Sequence, residues 1–143
     1  MDTASRLITL TQEIGRILRQ RARHIGDGKI NFLQIFALAM IDDHPNMTMK
    51  EFAESMKVSS PSATSFIDRL VKLGWAKRRE DAENRKLVLL SLTPVGKQML
   101  AKKMKERAAL IRQIIALIPE TDQRHLERIL TGLHAALGKT AVR

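Results

Sequence analysis

The clearest pattern of hydrophobic and polar positions lies between Thr48 and Thr93, where two short helical segments precede two strand-like ones. In the first segment apolar residues recur at steps of three and one, the spacing that lines one face of an α-helix. These residues are Met49, Phe52, Ala53 and Met56. Thr48 and Glu51 are three residues apart, so a hydroxyl and a carboxylate can each bind a backbone N–H of the first turn. The pattern predicts a capped helix beginning after Thr48.

A second helix is predicted from about Pro61 to Gly74. Ser60 supplies a capping hydroxyl, and proline in the first turn lacks a donor that this turn would leave unpaired. Gly74 suits the left-handed position that closes a helix. The predicted apolar face consists of Phe66, Ile67, Leu70 and Val71. The other face is small and hydrogen-bonding, and consists of Ser60, Ser62, Thr64, Ser65 and Arg69. Such a face fits a DNA major groove, although an isolated amphipathic helix is more often simply solvated.

Two strands and a turn follow this helix. Residues 75–80 and 85–92 are the strand candidates, and residues 81–84 form the turn without the Asn-Gly or Asp-Gly of a two-residue hairpin. The second strand is apolar on both faces, which indicates that it is covered on both sides. The hairpin cations are Lys77, Arg78, Arg79, Arg85 and Lys86. An exposed basic ribbon can lie along a groove of DNA with its tip cations in the minor groove.

The order of these segments resembles the MarR (multiple antibiotic resistance regulator) family of bacterial transcription factors. Residues 68–75, DRLVKLGW, are similar to the family's DRL-x-x-x-G-[LW] signature, and residues 92–96, LTPVG, are similar to its LT-x-x-G signature. Asn84-Arg85-Lys86 departs from the Asp-Arg-Arg that the family usually has at the wing tip. The resemblance implies a mainly α fold with a small β-hairpin wing, that is, a winged helix-turn-helix flanked by N- and C-terminal dimerisation helices.

The resemblance also implies roles for individual residues. Five residues at the start of the second helix would face the major groove: Ser60, Pro61, Ser62, Thr64 and Ser65. Arg69 would contact a backbone phosphate, Arg85 or Lys86 would enter the minor groove, and Arg78 would bind DNA from the hairpin. Asp68 is similar to the family aspartate that pairs with a wing cation and braces the wing. Without the family, Asp68 and Arg69 would be interpreted as a surface ion pair worth at most about 1 kcal/mol.

Composition agrees with a partner that is a polyanion. The chain has 143 residues, about one domain, with 25 Lys and Arg against 15 Asp and Glu and a net charge of +10. Residues 48–92 carry only nine of these cations against six anions, so much of the excess lies on the flanking helices. A cluster on the later helix consists of Lys97, Lys102, Lys103, Lys105 and Arg107. It is either a solvated helix face or a field that steers the protein onto DNA.

Helical patterns also occupy both ends of the chain. The first helix is predicted over residues 3–24, a long one follows Thr93-Pro94, and a last one ends at Gly138. Their apolar stripes exceed one face, which favours homodimerisation over the alternative of an intramolecular bundle. The chain is therefore interpreted as one MarR-like unit over residues 1–143. Residues 31–92 are the DNA-binding lobe, and residues 1–30 and 93–143 are the dimerisation helices.

One more helix is predicted around Phe32, Ile35, Phe36, Ala39 and Met40, whose spacing is i, i+3, i+4, i+7 and i+8. In the family, small anionic or phenolic ligands often bind where the dimerisation helices meet the DNA-binding lobe. The resemblance suggests Phe36, Met40, His44 and Met47 as the walls of such a pocket. Met and Phe at helical spacing are more often ordinary core residues.

Other classes of protein are less consistent with the sequence. His24, His44, His125 and His134 have no metal-ligand spacing, and no nucleophile motif is present, so neither an enzyme nor a metal or other cofactor is expected. The five aromatic residues fall mostly on core stripes, which disfavours a single-strand or RNA binder. No signal peptide or spanning segment is recognised, so a cytoplasmic protein is expected. The main alternative is a winged-helix protein-interaction module that does not read DNA.

Overall fold

The computed structural model describes residues 2–23 and 30–140, so the predicted helix end at His24 lies outside the described residues. It has a mainly α fold with a small antiparallel sheet, as predicted. In chain order the elements are α1 Thr3–Arg23, α2 Phe32–Asp43, β1 Met47–Thr48, α3 Met49–Met56, α4 Ser60–Lys72, β2 Ala76–Glu80, β3 Val88–Leu92, α5 Pro94–Ile115 and α6 Glu120–Thr140. The chain divides into two compact units, Met1–Glu106 and Arg107–Arg143.

The core of the first unit lies between α2, α3, α4 and the sheet. Its largest fully buried side chains are Phe52, Leu38, Ile41, Ile67, Leu70 and Leu90. Phe52 of α3 lies 6.1 Å from Phe66 of α4 between ring centroids, so an aromatic pair joins the two helices of the helix-turn-helix. Val71, expected on the apolar face of α4, is exposed, while the small Ala63 is buried. The side of α4 that meets α3 is therefore rotated slightly from the predicted one.

The buried face of α2 differs from the predicted one. Ala37, Leu38 and Ile41 are buried, whereas Phe32 and Phe36 are 55% and 48% exposed. The helix is capped by Asn31 and Gln34, whose side chains each bind the other residue's backbone N–H at 2.9 Å. Because α2 carries apolar residues on nearly all sides, its periodicity does not distinguish the side that faces the core.

The predicted start of α3 is confirmed, and that of α4 is wrong by one residue. The Glu51 backbone N–H donates to Thr48 Oγ1 at 3.1 Å, and the Thr48 N–H donates to Glu51 Oε2 at 2.8 Å. In α4 the cap is Ser59 instead of Ser60, because the hydroxyl of Ser59 accepts from the Ser62 N–H at 3.3 Å. Proline is still tolerated at the second helical position, since the first four N–H groups of a helix have no partner within it.

The sheet has three strands in the order β1-β3-β2. The two-residue strand β1 was not predicted; its Met47 pairs with Leu90 and its Thr48 with Leu89. Leu89 and Leu90 point to opposite faces and both are buried, which confirms that β3 is covered on both sides. Arg85 and Lys86 were predicted at the start of this strand but lie in the turn, because pairing with β2 begins only at Val88.

The two signature motifs meet at one junction. Gly74 has φ +77° and closes α4, as predicted, and the Trp75 N–H donates back to the Leu70 carbonyl at 3.0 Å. Thr93 caps α5 by accepting from the Gly96 N–H at 3.0 Å, and its own hydroxyl donates to the Gly74 carbonyl at 2.5 Å. Its N–H donates to the Trp75 carbonyl at 3.0 Å. The end of α4, the start of β2 and the start of α5 are thus held together by one threonine.

The helices at the chain ends expose large apolar side chains. On α1 they are Leu7, Ile8, Leu10, Ile14 and Ile17. On α6, in the second unit, they are Leu126, Ile129, Leu130, Leu133 and Leu137. Gly138 does not end α6, which continues to Thr140. Within the described residues, no helix combines the length and apolarity needed to cross a bilayer.

Candidate nucleic-acid interface

The outer face of α4 is exposed and rich in hydroxyl groups. Ser60, Pro61, Ser62, Thr64, Ser65 and Arg69 are all exposed. A shallow concavity of about 370 Å³ lies on this face between Pro61, Ser62, Ser65, Phe66 and Arg69. Ser59, the N-cap of α4, belongs to the same face, since its hydroxyl donates to Ser62 Oγ at 2.9 Å. The serine, threonine and proline side chains of this face are short enough to let a helix approach a groove closely.

The wing tip is a compact turn of residues 81–87. The Asp81 N–H donates to the Leu87 carbonyl at 3.1 Å, and the Leu87 N–H donates to the Asn84 carbonyl at 2.9 Å. The side chains of Asp81 and Asn84 accept from the N–H groups of Glu83 and Lys86, both at 3.2 Å. Arg85 and Lys86 are exposed, and neither side chain binds another described residue. The turn therefore presents two exposed cations on a backbone that is held by its own hydrogen bonds.

Arg78 binds α4 instead of projecting freely from the hairpin. One of its Nη2 hydrogens points to Asp68 Oδ1 at 2.5 Å, and Nη2 also lies 3.3 Å from the Thr64 carbonyl oxygen. The Arg78 and Asp68 side chains are 31% and 57% exposed, so the ion pair is largely solvated and contributes little to the stability of the fold. Its effect is geometric, because it joins β2 to the middle of α4.

The neighbouring arginine makes a second contact on the other face of the strand. Arg79 donates from Nη2 to Asn46 Oδ1 at 2.5 Å, and Asn46 has φ +63° in the turn between α2 and β1. Since successive strand residues point to opposite faces, Arg78 and Arg79 hold the wing from both sides. The sequence pattern does not indicate the Arg79–Asn46 pair, because its two members are 33 residues apart.

The four residues suggested as the walls of a ligand pocket differ in their surroundings. Met47 is buried in the sheet, Phe36 is half exposed, and His44 Nδ1 lies 2.9 Å from the Met40 carbonyl oxygen. Their use as a ligand pocket stays a prediction.

In the cationic cluster of α5, Lys103 is only 6% exposed and its Nζ lies 3.0 Å from Glu106 Oε2. Lys103 is thus not one of the solvated cations that the charge pattern indicated.

Known proteins resemble this chain in both sequence and fold. The MarR family model, described as "MarR family", matches residues 30–88. The Escherichia coli transcriptional repressor MprA is 26% identical over 124 residues, which cover 85% of this chain and 70% of MprA. The Bacillus subtilis HTH-type transcriptional repressor MdtR is 26% identical over 103 residues, which cover 72% of this chain and 66% of MdtR.

Solved structures show the same fold. A MarR family protein from Bacillus stearothermophilus superposes with a TM-score of 0.82 at 23% identity, covering 96% of this chain and 99% of that one. Streptococcus pneumoniae FabT, crystallised in complex with DNA, superposes with a TM-score of 0.71 at 20% identity, covering 97% and 99%. At these identities the superpositions establish the architecture, while the family match rests on sequence.

Proposed function

Because residues 30–88 match the model of the MarR family, and because the related proteins MprA and MdtR are transcriptional repressors, we propose that this chain is a cytoplasmic, homodimeric repressor that binds duplex DNA at a pseudo-palindromic operator. The observation that carries the proposal is the exposed hydroxyl face of α4, with the two exposed cations of the wing tip presented by the same lobe. Hydroxyls and amides read base edges or bind phosphates, whereas arginine and lysine supply affinity.

The two sets of residues have separate tasks in this proposal. Ser62, Thr64 and Ser65 select the base sequence in the major groove, with Ser60 and Pro61 at the point of closest approach. Arg69 binds phosphate, and Arg85 and Lys86 enter the minor groove, where the potential is most negative. Arg78 serves mainly to hold the wing against Asp68, and its remaining N–H groups face the backbone of the DNA.

A second copy of the chain is proposed to cover the apolar terminal helices. Ile14 on α1 is 51% exposed, and Ile129 and Leu137 on α6 are 60% and 61% exposed. Apolar stripes of this extent on a soluble DNA reader favour association. A dimer would present two α4 helices to half-sites about 10 base pairs apart, centre to centre. Release by a small anionic or phenolic effector at Phe36, Met40, His44 and Met47 completes the proposal.

Selection of genomic fragments with the purified full chain tests this function. We expect enrichment of a pseudo-palindrome, bound by two copies of the chain, as measured by analytical ultracentrifugation of the protein–duplex complex. The association constant should fall steeply with salt, because each neutralised phosphate releases counterions. If no palindrome is enriched and duplex binding is unselective, the chain is instead a winged-helix interaction module.

Replacing Asp68 with asparagine should weaken duplex binding about 3- to 10-fold, corresponding to roughly 0.7 to 1.4 kcal/mol. The substitution removes the negative charge that holds Arg78 and leaves only a neutral amide oxygen as acceptor, which loosens the wing. By charge alone the effect would have the opposite sign, since losing a carboxylate from a DNA-binding face favours binding. Fluorescence anisotropy with the selected duplex measures the affinity of the variant. Glu54→Gln, which removes an exposed carboxylate from α3, is the matched control, and stronger binding by Asp68→Asn would contradict the brace.

A further inference from the structure

The Arg79 side chain spans the sheet from β2 to the turn before β1. Arg79 lies opposite Leu89 on β3, and Leu89 lies opposite Thr48 on β1, so the three side chains share one face of the sheet. Neighbouring strands are about 4.8 Å apart, and β3 separates the other two. Because Arg79 Nη2 donates to Asn46 Oδ1 at 2.5 Å, its side chain has to pass over the middle strand.

The residue beneath this crossing is buried outside the main core. Leu89 is only 6% exposed, yet the buried cluster that contains Leu90 and Leu92 does not include it. A long arginine side chain packs its methylene groups on apolar surface and keeps its guanidinium in solvent. Arg79 is thus placed to cover Leu89 on its way to Asn46, and its crossing is supported by packing as well as by a hydrogen bond.

The acceptor of this hydrogen bond belongs to a constrained turn at the end of α2. The turn consists of residues 44–47, and the Met47 N–H donates to the His44 carbonyl at 3.1 Å. Pro45 at its second position has a fixed φ, and Asn46 at its third has φ +63°, the pattern of a type II turn. Asparagine is one of the few residues that adopt a positive φ readily. The amide that receives Arg79 is therefore held in one place.

The wing is attached at two points that lie on opposite faces of the sheet. The Asp68–Arg78 pair joins β2 to α4, and the Arg79–Asn46 pair joins it to the end of α2. One attachment leaves the wing free to tilt about it, whereas two define its orientation. We propose that Arg79 is a positioning residue and not a DNA contact: with Asn46 it sets the step of the minor groove that the wing tip reaches. This role rests on the proposed function, in which the two wing-tip cations enter that groove.

The role has a consequence for sequence preference outside the half-sites that α4 contacts. Narrow minor grooves of A·T-rich DNA attract arginine and lysine most strongly. A wing held in one orientation places its cations at one step and favours A·T pairs there. A wing that tilts averages over several steps and loses this preference, although its cations and its net charge are unchanged.

Two duplexes with the same selected half-sites, flanked by either A·T or G·C pairs, test this role in anisotropy titrations. The unmodified chain should prefer the A·T-flanked duplex, and Asn46→Gly should reduce the ratio of the two affinities about threefold or more. Glycine adopts a positive φ readily, so the turn is kept and only the amide is lost. Asn46→Asp keeps an acceptor for Arg79 and should retain the ratio. If only the turn conformation mattered, glycine would be tolerated best.

Arg79→Gln should lower the ratio as much as Asn46→Gly does, and the double variant should lower it no further, since both substitutions remove one interaction. Lys77→Gln is the matched control, because it removes an exposed cation from the same face of β2. It should weaken binding to both duplexes alike. In the free protein, amide hydrogens of residues 81–87 should exchange about threefold or more faster in Asn46→Gly and Arg79→Gln, but not in Lys77→Gln.

Four results would overturn this role of Arg79. They are an unchanged ratio in Asn46→Gly, additive losses in the double variant, equal losses in Lys77→Gln and Arg79→Gln, and unchanged exchange at residues 81–87. Additive losses would mean that Arg79 contacts DNA directly. Because exchange is measured without DNA, a missing attachment is distinguished from a missing operator. If the unmodified chain bound no duplex selectively, the proposed function would fail, and the role would fail with it whatever the exchange rates were.

Discussion

Replacing Gly96 with alanine is expected to destabilise the protein by about 3 kcal/mol or more. A Cβ at this position would lie 1.9 Å from the carbonyl oxygen of Trp75 and 2.7 Å from its carbonyl carbon. That carbonyl is backbone and cannot rotate away like a flexible side chain. It also accepts from the Thr93 N–H at 3.0 Å, so moving it would disturb the junction between β2 and α5. Chemical denaturation followed by circular dichroism measures the loss.

Gly132 provides the matched control for this substitution. It lies in α6, and a Cβ there would meet nothing within 4 Å. Alanine is the better helix former by about 1 kcal/mol, so Gly132→Ala should be neutral or stabilising. If the free energy of unfolding of Gly96→Ala lay within about 1 kcal/mol of that of the unmodified chain, the close approach of α5 to Trp75 would be incorrect.

Removing both wing-tip cations, Arg85→Ala/Lys86→Ala, is expected to weaken duplex binding about 10- to 100-fold, or roughly 1.4 to 2.7 kcal/mol. Both side chains are exposed at the turn and bind no other described residue, so their loss should leave the fold unchanged. The dependence of the association constant on salt should also become shallower, by roughly 0.9 for each phosphate that is no longer neutralised. Anisotropy titrations at several salt concentrations measure both quantities.

A control for net charge is needed, because any loss of cations weakens binding to a polyanion. Arg128→Ala/Lys139→Ala removes two exposed cations from α6, outside the DNA-binding lobe. It should change affinity by less than about threefold, with little change of salt slope. Equal effects of the two double variants would mean that the wing acts only through its charge. An unchanged affinity of the wing variant would rule out contact between the wing tip and DNA.

The helix ends in and next to residues 31–92 were predicted well from short sequence motifs. The Thr48–Glu51 capping box, the closure of α4 at Gly74 and the Thr93 cap of α5 all occur where the residues indicated. Each depends on groups within a few residues of one another, so the contiguous sequence contains the whole interaction. The Ser59 cap shows the limit, because three serines surround Pro61 and sequence alone does not rank them.

Long-range partners could not be predicted in this way. The sequence does not distinguish the roles of the hairpin cations. Arg78 and Arg79 hold the wing in place, whereas Arg85 and Lys86 bind no other described residue. The difference arises because Asp68 and Asn46 are brought to β2 by the packing of α4 and by the turn after α2. The buried state of Lys103 has the same origin, since a run of lysines on a helix does not indicate which one faces the interior.

The order of the helices and of β2 and β3, the caps of α3 and α5, the position of the wing and the two motifs that resemble the MarR signatures are all evident in the amino-acid sequence. These are short-range properties, set by periodicity and by hydrogen bonds between neighbours in the chain. Tertiary packing is needed to learn which face of α2 is buried, which arginines brace the wing, and that the buried Ser91 Oγ has no hydrogen-bond partner among the described residues. These depend on residues that are distant in sequence and meet only when the core packs.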